Sequence, residues 1–111
     1  MNSKTLENKT NWQILTDIPR FDSIEKLKSC IDNCGGYIVN HTMFSDIAIS
    51  LTVEIEEKDI QELYENLITD FKIIGKIPES LNQKSNRDWW ILINMSFVKG
   101  KGNLKREVPN C

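Results

Sequence analysis

The strictest constraint on the fold is an alternation that runs through residues 47–56. Branched aliphatic side chains occupy every second position of this segment, and smaller or acidic side chains lie between them. The aliphatic set is Ile47, Ile49, Leu51, Val53 and Ile55. Because successive side chains of a strand point to opposite faces, this period of two predicts a strand with one face in a core. We expect the strand to be central in its sheet and to turn its polar face away from the helices.

The flanking segments extend this strand into an α+β domain. The predicted elements are a strand at 12–18, a helix capped by Asp22 or Ser23 and ended by Gly35, strands at 37–44 and 47–56, a helix after Asp59, a short strand at 71–74 and a strand at 89–98. Two helices on one face of an antiparallel sheet bury the apolar sides of both layers. The order predicts a ferredoxin-like βαββαβ two-layer sandwich with an additional C-terminal strand. Either 71–77 or 89–98 completes the four-stranded unit.

Length and composition indicate one globular domain between two tails. The chain has 111 residues, of which 40% are hydrophobic and 27% charged, and we expect a flexible N-terminal tail at 1–11, a single domain at 12–98 and a basic C-terminal tail at 99–111. The first eleven residues lack the apolar middle of a secretory signal, and no apolar run approaches the roughly 18 residues of a membrane span. Three cysteines do not make a disulfide framework. We therefore expect a cytoplasmic protein with reduced thiols and no membrane partner.

Charge and residue types argue against nucleic-acid and metal binding. The net charge of −2 gives no general attraction to phosphates, and the strand at 47–56 has no aromatic side chain on which a base could stack. Cys30 and Cys34 lie one helical turn apart and would supply half of a metal site, but His41 is the only histidine. We expect Cys34 to belong to the core. The sequence thus predicts no nucleic-acid partner, no metal and no cofactor.

Catalysis is also disfavoured, because no local pattern pairs a nucleophile with a base. An enzyme of this fold would use the polar face of the sheet. The polar side chains available there are Ser50, Thr52, Glu54, Asn94 and Ser96. We assign no catalytic residue and keep a small enzyme on the open sheet face as an alternative.

Two adjacent tryptophans, Trp89 and Trp90, predict an interface. Neighbouring residues on a strand point to opposite faces, so with helices on one face one indole must find another cover. A ligand, a partner subunit or residues 104–108 of the same chain would provide it. Large aromatic side chains are favoured at the centres of protein interfaces. We therefore predict Trp89 and Trp90 as interface residues.

Two short motifs resemble those of ACT-like domains, which are small regulatory modules. These motifs are Asp17-Ile18-Pro19 after the first strand and Gly35-Gly36-Tyr37-Ile38 before the second, with a helix from Ile24 between them. The resemblance covers roughly residues 12–77. It implies a homodimer and an amino-acid-like small molecule bound near the loop between the first strand and first helix, here residues 16–23.

Within that loop we predict the ligand-binding residues Thr16, Asp17, Arg20 and Phe21. A guanidinium group pairs well with a carboxylate, and a carboxylate pairs with an ammonium group, so Arg20 and Asp17 suit an amino acid. The leading hypothesis is a non-catalytic small-molecule-binding or regulatory module that forms a homodimer. The alternatives are a protein-interaction adaptor without a ligand, which adds an edge strand to a larger protein, and the small enzyme described above.

Overall fold

A computed structural model describes residues 8–44 and 46–98 of the chain. In these residues the chain forms five strands and two helices. They are β1 (Lys9–Thr16), α1 (Arg20–Asn33), β2 (Tyr37–Phe44), β3 (Ala48–Glu56), α2 (Ile60–Asp70), β4 (Lys72–Ile74) and β5 (Asp88–Phe97), with a 3₁₀ turn at Glu57–Asp59 between β3 and α2. The predicted basic tail and the predicted cover by residues 104–108 lie outside the described residues, as do the first seven residues of the predicted N-terminal tail.

The strands form one mixed sheet in the order β2-β3-β5-β1-β4. The α+β class is confirmed. The sheet is mixed, whereas we had expected a wholly antiparallel sheet. The last strand, β5, lies in the middle, antiparallel to β3 and parallel to β1. Its ten residues present an apolar face to the helices, so burial favours a central place. Both β4 and β5 belong to the sheet, with β4 at an edge.

The alternation in β3 sets the position of the core. Its four core-facing aliphatic side chains are each at most 4% exposed, and Leu27, Ile31, Leu63 and Leu67 of the two helices cover them and their neighbours in β5 and β1. The predicted central position of this strand is confirmed, because β3 pairs with β2 on one side and β5 on the other. The strand begins at Ala48, however, and Ile47 is 62% exposed in the preceding turn.

The first strand and first helix begin earlier than predicted. The strand β1 starts at Lys9, because β5 supplies a parallel partner from Trp90 onward. The capping of α1 by Asp22 or Ser23 was wrong: α1 begins at Arg20, Pro19 occupies its N-cap position, and no side chain caps it. Ser23 is buried, and its hydroxyl donates to the carbonyl of Ile18 at 3.1 Å.

The longer helix of the described residues has 14 residues. Among the described residues, neither helix is long and apolar enough to cross a membrane.

Candidate functional site

Two of the predicted ligand-binding residues, Asp17 and Arg20, line one cleft of about 330 Å³. The cleft lies where β1 and β5 end and α1 begins; we call it the end cleft. Its other polar residue is Asp46, and Ile18, Phe97 and Val98 form much of its apolar wall. The backbone N–H of Val98 donates to the carbonyl of Thr16 at 2.8 Å, which fixes the end of β5 beside the loop.

The charged groups of the end cleft are exposed to solvent. Arg20 Nη1 lies 3.3 Å from Asp46 Oδ1, and these side chains are 47% and 85% exposed. The ion pair joins the start of α1 to the turn between β2 and β3. An exposed pair of this kind contributes little to folding stability. The guanidinium group of Arg20 can therefore exchange the carboxylate of Asp46 for another carboxylate.

Thr16 and Phe21 occupy different surroundings from Asp17 and Arg20. Thr16 is 5% exposed, its Oγ1 lies 3.0 Å from Ser23 Oγ, and it accepts the backbone N–H of Ile18 at 3.0 Å. This hydroxyl therefore shapes the loop. Phe21 is 71% exposed and does not line the cleft.

The two adjacent tryptophans point to opposite faces of the sheet. Trp89 packs against the core, and its indole nitrogen is buried with no hydrogen-bond partner among the described residues. Trp90 lies on the face without helices and is 41% exposed, next to the partly exposed Leu92. Of the two predicted interface residues, Trp90 is the one whose side chain is exposed to solvent.

Two pairs of polar side chains on the open sheet face form hydrogen bonds. Ser50 Oγ donates to Asn94 Oδ1 at 2.9 Å, and an amide oxygen is too weak a base to activate a hydroxyl. The Tyr37 hydroxyl donates to Glu54 Oε1 at 3.4 Å. The negative charge of Glu54 raises the pKa of Tyr37. In the described part of this face, the arrangement forms hydrogen bonds that stabilise the sheet and offers no activated nucleophile.

The two cysteines in the described part of the chain, Cys30 and Cys34, behave as small apolar residues. Cys34 is 5% exposed and belongs to the core, as predicted, and Cys30 packs at its margin. Burial is the main cause of the raised pKa of both thiols, and it disfavours the thiolate that binds metals. Within 8–44 and 46–98, no group of three or more histidine, cysteine or acidic residues is placed to hold a metal ion.

A buried carboxylate, Glu57, holds the long loop before β5. It is 7% exposed and accepts the backbone N–H of Asn82 at 2.8 Å. This hydrogen bond is the main cause of the lowered pKa of Glu57. Sequence reasoning missed this role. The signal was present, since the alternation of Val53 and Ile55 extends to position 57 and places Glu57 on the core side.

A second cavity, of about 160 Å³, lies between α1, β2 and β3; we call it the α1–β2 cavity. Its two polar lining residues are Lys28 and His41. The apolar lining residues are Ile24, Leu27, Ile38, Met43, Ile49 and Leu51. No sequence pattern indicated it, because its walls come from three separate elements.

No family model matches the chain, and no curated protein or solved structure is significantly similar to it. The chemistry of its own residues is therefore the basis for a functional proposal.

Proposed function

We propose that this chain is a non-catalytic binding module that takes an amino-acid-like small molecule in the end cleft. The observation that carries the proposal is that Asp17 and Arg20 line the same cleft of about 330 Å³. One oppositely charged group is thus available for each end of a zwitterion. The apolar wall at Phe97 and Val98 suits an aliphatic or aromatic ligand side chain.

Binding in this cleft exchanges one ion pair for another. The ligand carboxylate takes the place of Asp46 at the Arg20 guanidinium group, which presents a planar set of donors suited to carboxylates. The ligand ammonium group pairs with Asp17. Asp46 belongs to the turn between β2 and β3, so the ligand replaces one exposed contact between α1 and that turn.

The strand order supports the resemblance to ACT-like domains. When β5 is left out, the remaining strands follow the order β2-β3-β1-β4, with α1 and α2 each linking two of them. We propose that the chain is a ferredoxin-like unit into which β5 has inserted between β3 and β1. An amino-acid-like ligand and a homodimer are what such a relationship implies.

We further propose that the homodimer forms through β2, and the edge position of this strand favours it. Its eight residues include no Asp, Glu, Lys or Arg, and the side chains of Tyr37, Val39 and Phe44 are 42–57% exposed. Sheet edges that remain unpaired are commonly protected by charge, proline or short length. The opposite edge, β4, has three residues that include Lys72. The β2 edge would serve the adaptor alternative equally well, with a different protein as partner.

A binding screen against amino acids tests the ligand proposal. At one hundred times its dissociation constant, a ligand stabilises a protein by about 2.7 kcal/mol, which raises the unfolding midpoint by roughly 4–8 °C in a small domain. We expect such a shift with an amino acid, and we expect Arg20→Ala and Asp17→Ala each to abolish it.

Two exposed residues outside the end cleft provide matched controls. Lys84→Ala and Asp32→Ala remove the same charges from the surface, and these variants should keep the shift. If Arg20→Ala and Asp17→Ala bind every active ligand as the unaltered protein does, the end cleft is not the site. A screen in which no amino acid shifts the midpoint would contradict the proposed ligand class.

A further inference from the structure

The α1–β2 cavity arises because the helix layer stops short of the edge strand. Leu27, Ile49 and Leu51 form its deep part and are at most 4% exposed. Along β2 only Ile38 is partly buried, and the other seven residues are exposed. The cavity therefore has an aliphatic interior and opens to solvent beside β2.

The volume of the cavity fits one ring. At about 160 Å³, it is close to the roughly 150 Å³ of an engineered apolar cavity that stays dry and binds benzene. A space lined by leucine and isoleucine offers water few hydrogen-bond partners. A flat apolar group gains dispersion contacts there without displacing tightly bound water.

The charge at the opening is complementary to an anion. The titratable residues that line the cavity are Lys28 and His41, and neither aspartate nor glutamate is among its described lining residues. Lys28 Nζ lies 4.0 Å from Glu25 Oε2, and the two side chains are 53% and 55% exposed. This pair is long and solvated, so it competes weakly for the ammonium group. The Lys28 ammonium group and the His41 ring are thus placed to meet a carboxylate.

We propose that the α1–β2 cavity binds a small aromatic carboxylate. The ring lies between Leu27 and Leu51, and the carboxylate lies at the opening beside Lys28 and His41. The site is separate from the end cleft and does not depend on the function proposed for that cleft.

A methyl NMR titration with three probes of one shape tests this proposal. Benzoate, benzamide and benzamidine carry the same ring with a negative, neutral and positive group. We expect saturable shifts of the Leu27, Ile38 and Leu51 methyl signals with benzoate, weaker binding of benzamide and the weakest binding of benzamidine. Lys28→Met should weaken benzoate binding about fivefold, the equivalent of one exposed ion pair. The signals of Ile18 and Val98 report separately on the end cleft.

Two further variants control this titration. Lys26→Met removes a similarly exposed charge from α1 outside the cavity and should leave benzoate affinity unchanged. Ile24→Phe fills the cavity from its margin and should abolish binding while the core methyl spectrum stays folded. The proposal is overturned if benzoate causes no saturable shift at these methyls, if the three probes bind equally, or if Lys26→Met weakens binding as much as Lys28→Met.

Discussion

At the scale of single residues, Glu57 shows how a buried charge organises a loop. Its carboxylate accepts the Asn82 N–H, while its own backbone N–H donates to the carbonyl of Arg87 at 2.8 Å. The N–H of the next residue, Lys58, donates to the carbonyl of Ser85 at 3.0 Å. A segment without regular structure is thus attached at several points to the end of β3. Its closure positions Trp89 and the start of β5.

We expect Glu57→Gln to destabilise the fold. A hydrogen bond to a charged group contributes about 1.5–3 kcal/mol, and the amide keeps the shape of the side chain while removing its charge. Urea unfolding at neutral pH would measure the loss, and Glu79→Gln, an exposed substitution near the loop, is the control. Equal stability of both variants would show that Glu57 does not anchor the loop.

The same carboxylate predicts a dependence of stability on pH. Because the pKa of Glu57 is lowered in the folded state, its ionised form favours folding. That contribution is complete above the unfolded-state pKa and is lost as the pH falls through the lower folded-state pKa. The difference in unfolding free energy between the unaltered protein and Glu57→Gln should therefore shrink on acidification. A difference that stays constant down to acid pH would contradict this cause of the shift.

At the scale of elements, β5 is the strand whose position in the sheet could least be predicted from the sequence. It is the last strand of the described chain, yet it pairs along most of its length with both β3 and β1. Its core-facing residues Ile91, Ile93 and Met95 are fully buried, while Leu92, on the other face, is 36% exposed. The strand thus contributes a central part of the core and joins the β2-β3 pair to the β1-β4 pair in one sheet.

We expect Ile93→Ala and Leu92→Ala to differ strongly although the residues are adjacent. Ile93→Ala leaves a cavity in the core and should cost about 2–5 kcal/mol. Leu92→Ala opens no enclosed space and should cost about 1 kcal/mol, from the loss of partly buried methyl groups. Chemical unfolding of both variants gives the comparison. Similar losses would mean that the open face is covered, for example by a partner.

At the scale of the whole molecule, the two sheet edges differ in what they offer a partner. The β2 edge is long, and the only titratable side chains of this strand are Tyr37 and His41. The β4 edge is short, and Gly75, whose φ is +128°, follows it directly. A symmetric dimer needs a surface that complements itself, and an uncharged strand can pair with its own copy without repulsion between like charges.

We expect the purified chain to have twice its mass of 12.9 kDa in light scattering after size exclusion. Val39→Lys places like charges together in a dimer paired through β2 and should yield monomers. Gln13→Lys adds the same charge to β1 on the open face and should leave the dimer intact.

Trp90→Lys tests the other predicted surface: monomers from this variant alone would place the interface on the sheet face. A monomeric unaltered protein would contradict the dimer itself.

The elements themselves could be predicted because their signals are local. The period of two in β3, the spacing of Leu27 and Ile31 in α1, and the glycines before β2 each reflect which side of a short segment meets the core. The boundary errors have local causes as well. Ser23 has the chemistry of a helix cap, but its hydroxyl is used in the turn after β1, and Ile47 continues the alternation by one residue while the chain already turns.

The sequence by itself determined the α+β class, the order of the elements and the loop that contributes Asp17 and Arg20 to the end cleft. Only the tertiary structure decided that β5 enters the sheet between β1 and β3, since parallel and antiparallel pairing at long range leaves no periodic signal. It also decided that Asp46 meets Arg20 and that Lys28 and His41 share a cavity. These pairs lie far apart along the chain, and their separation in space depends on how the helices and strands pack.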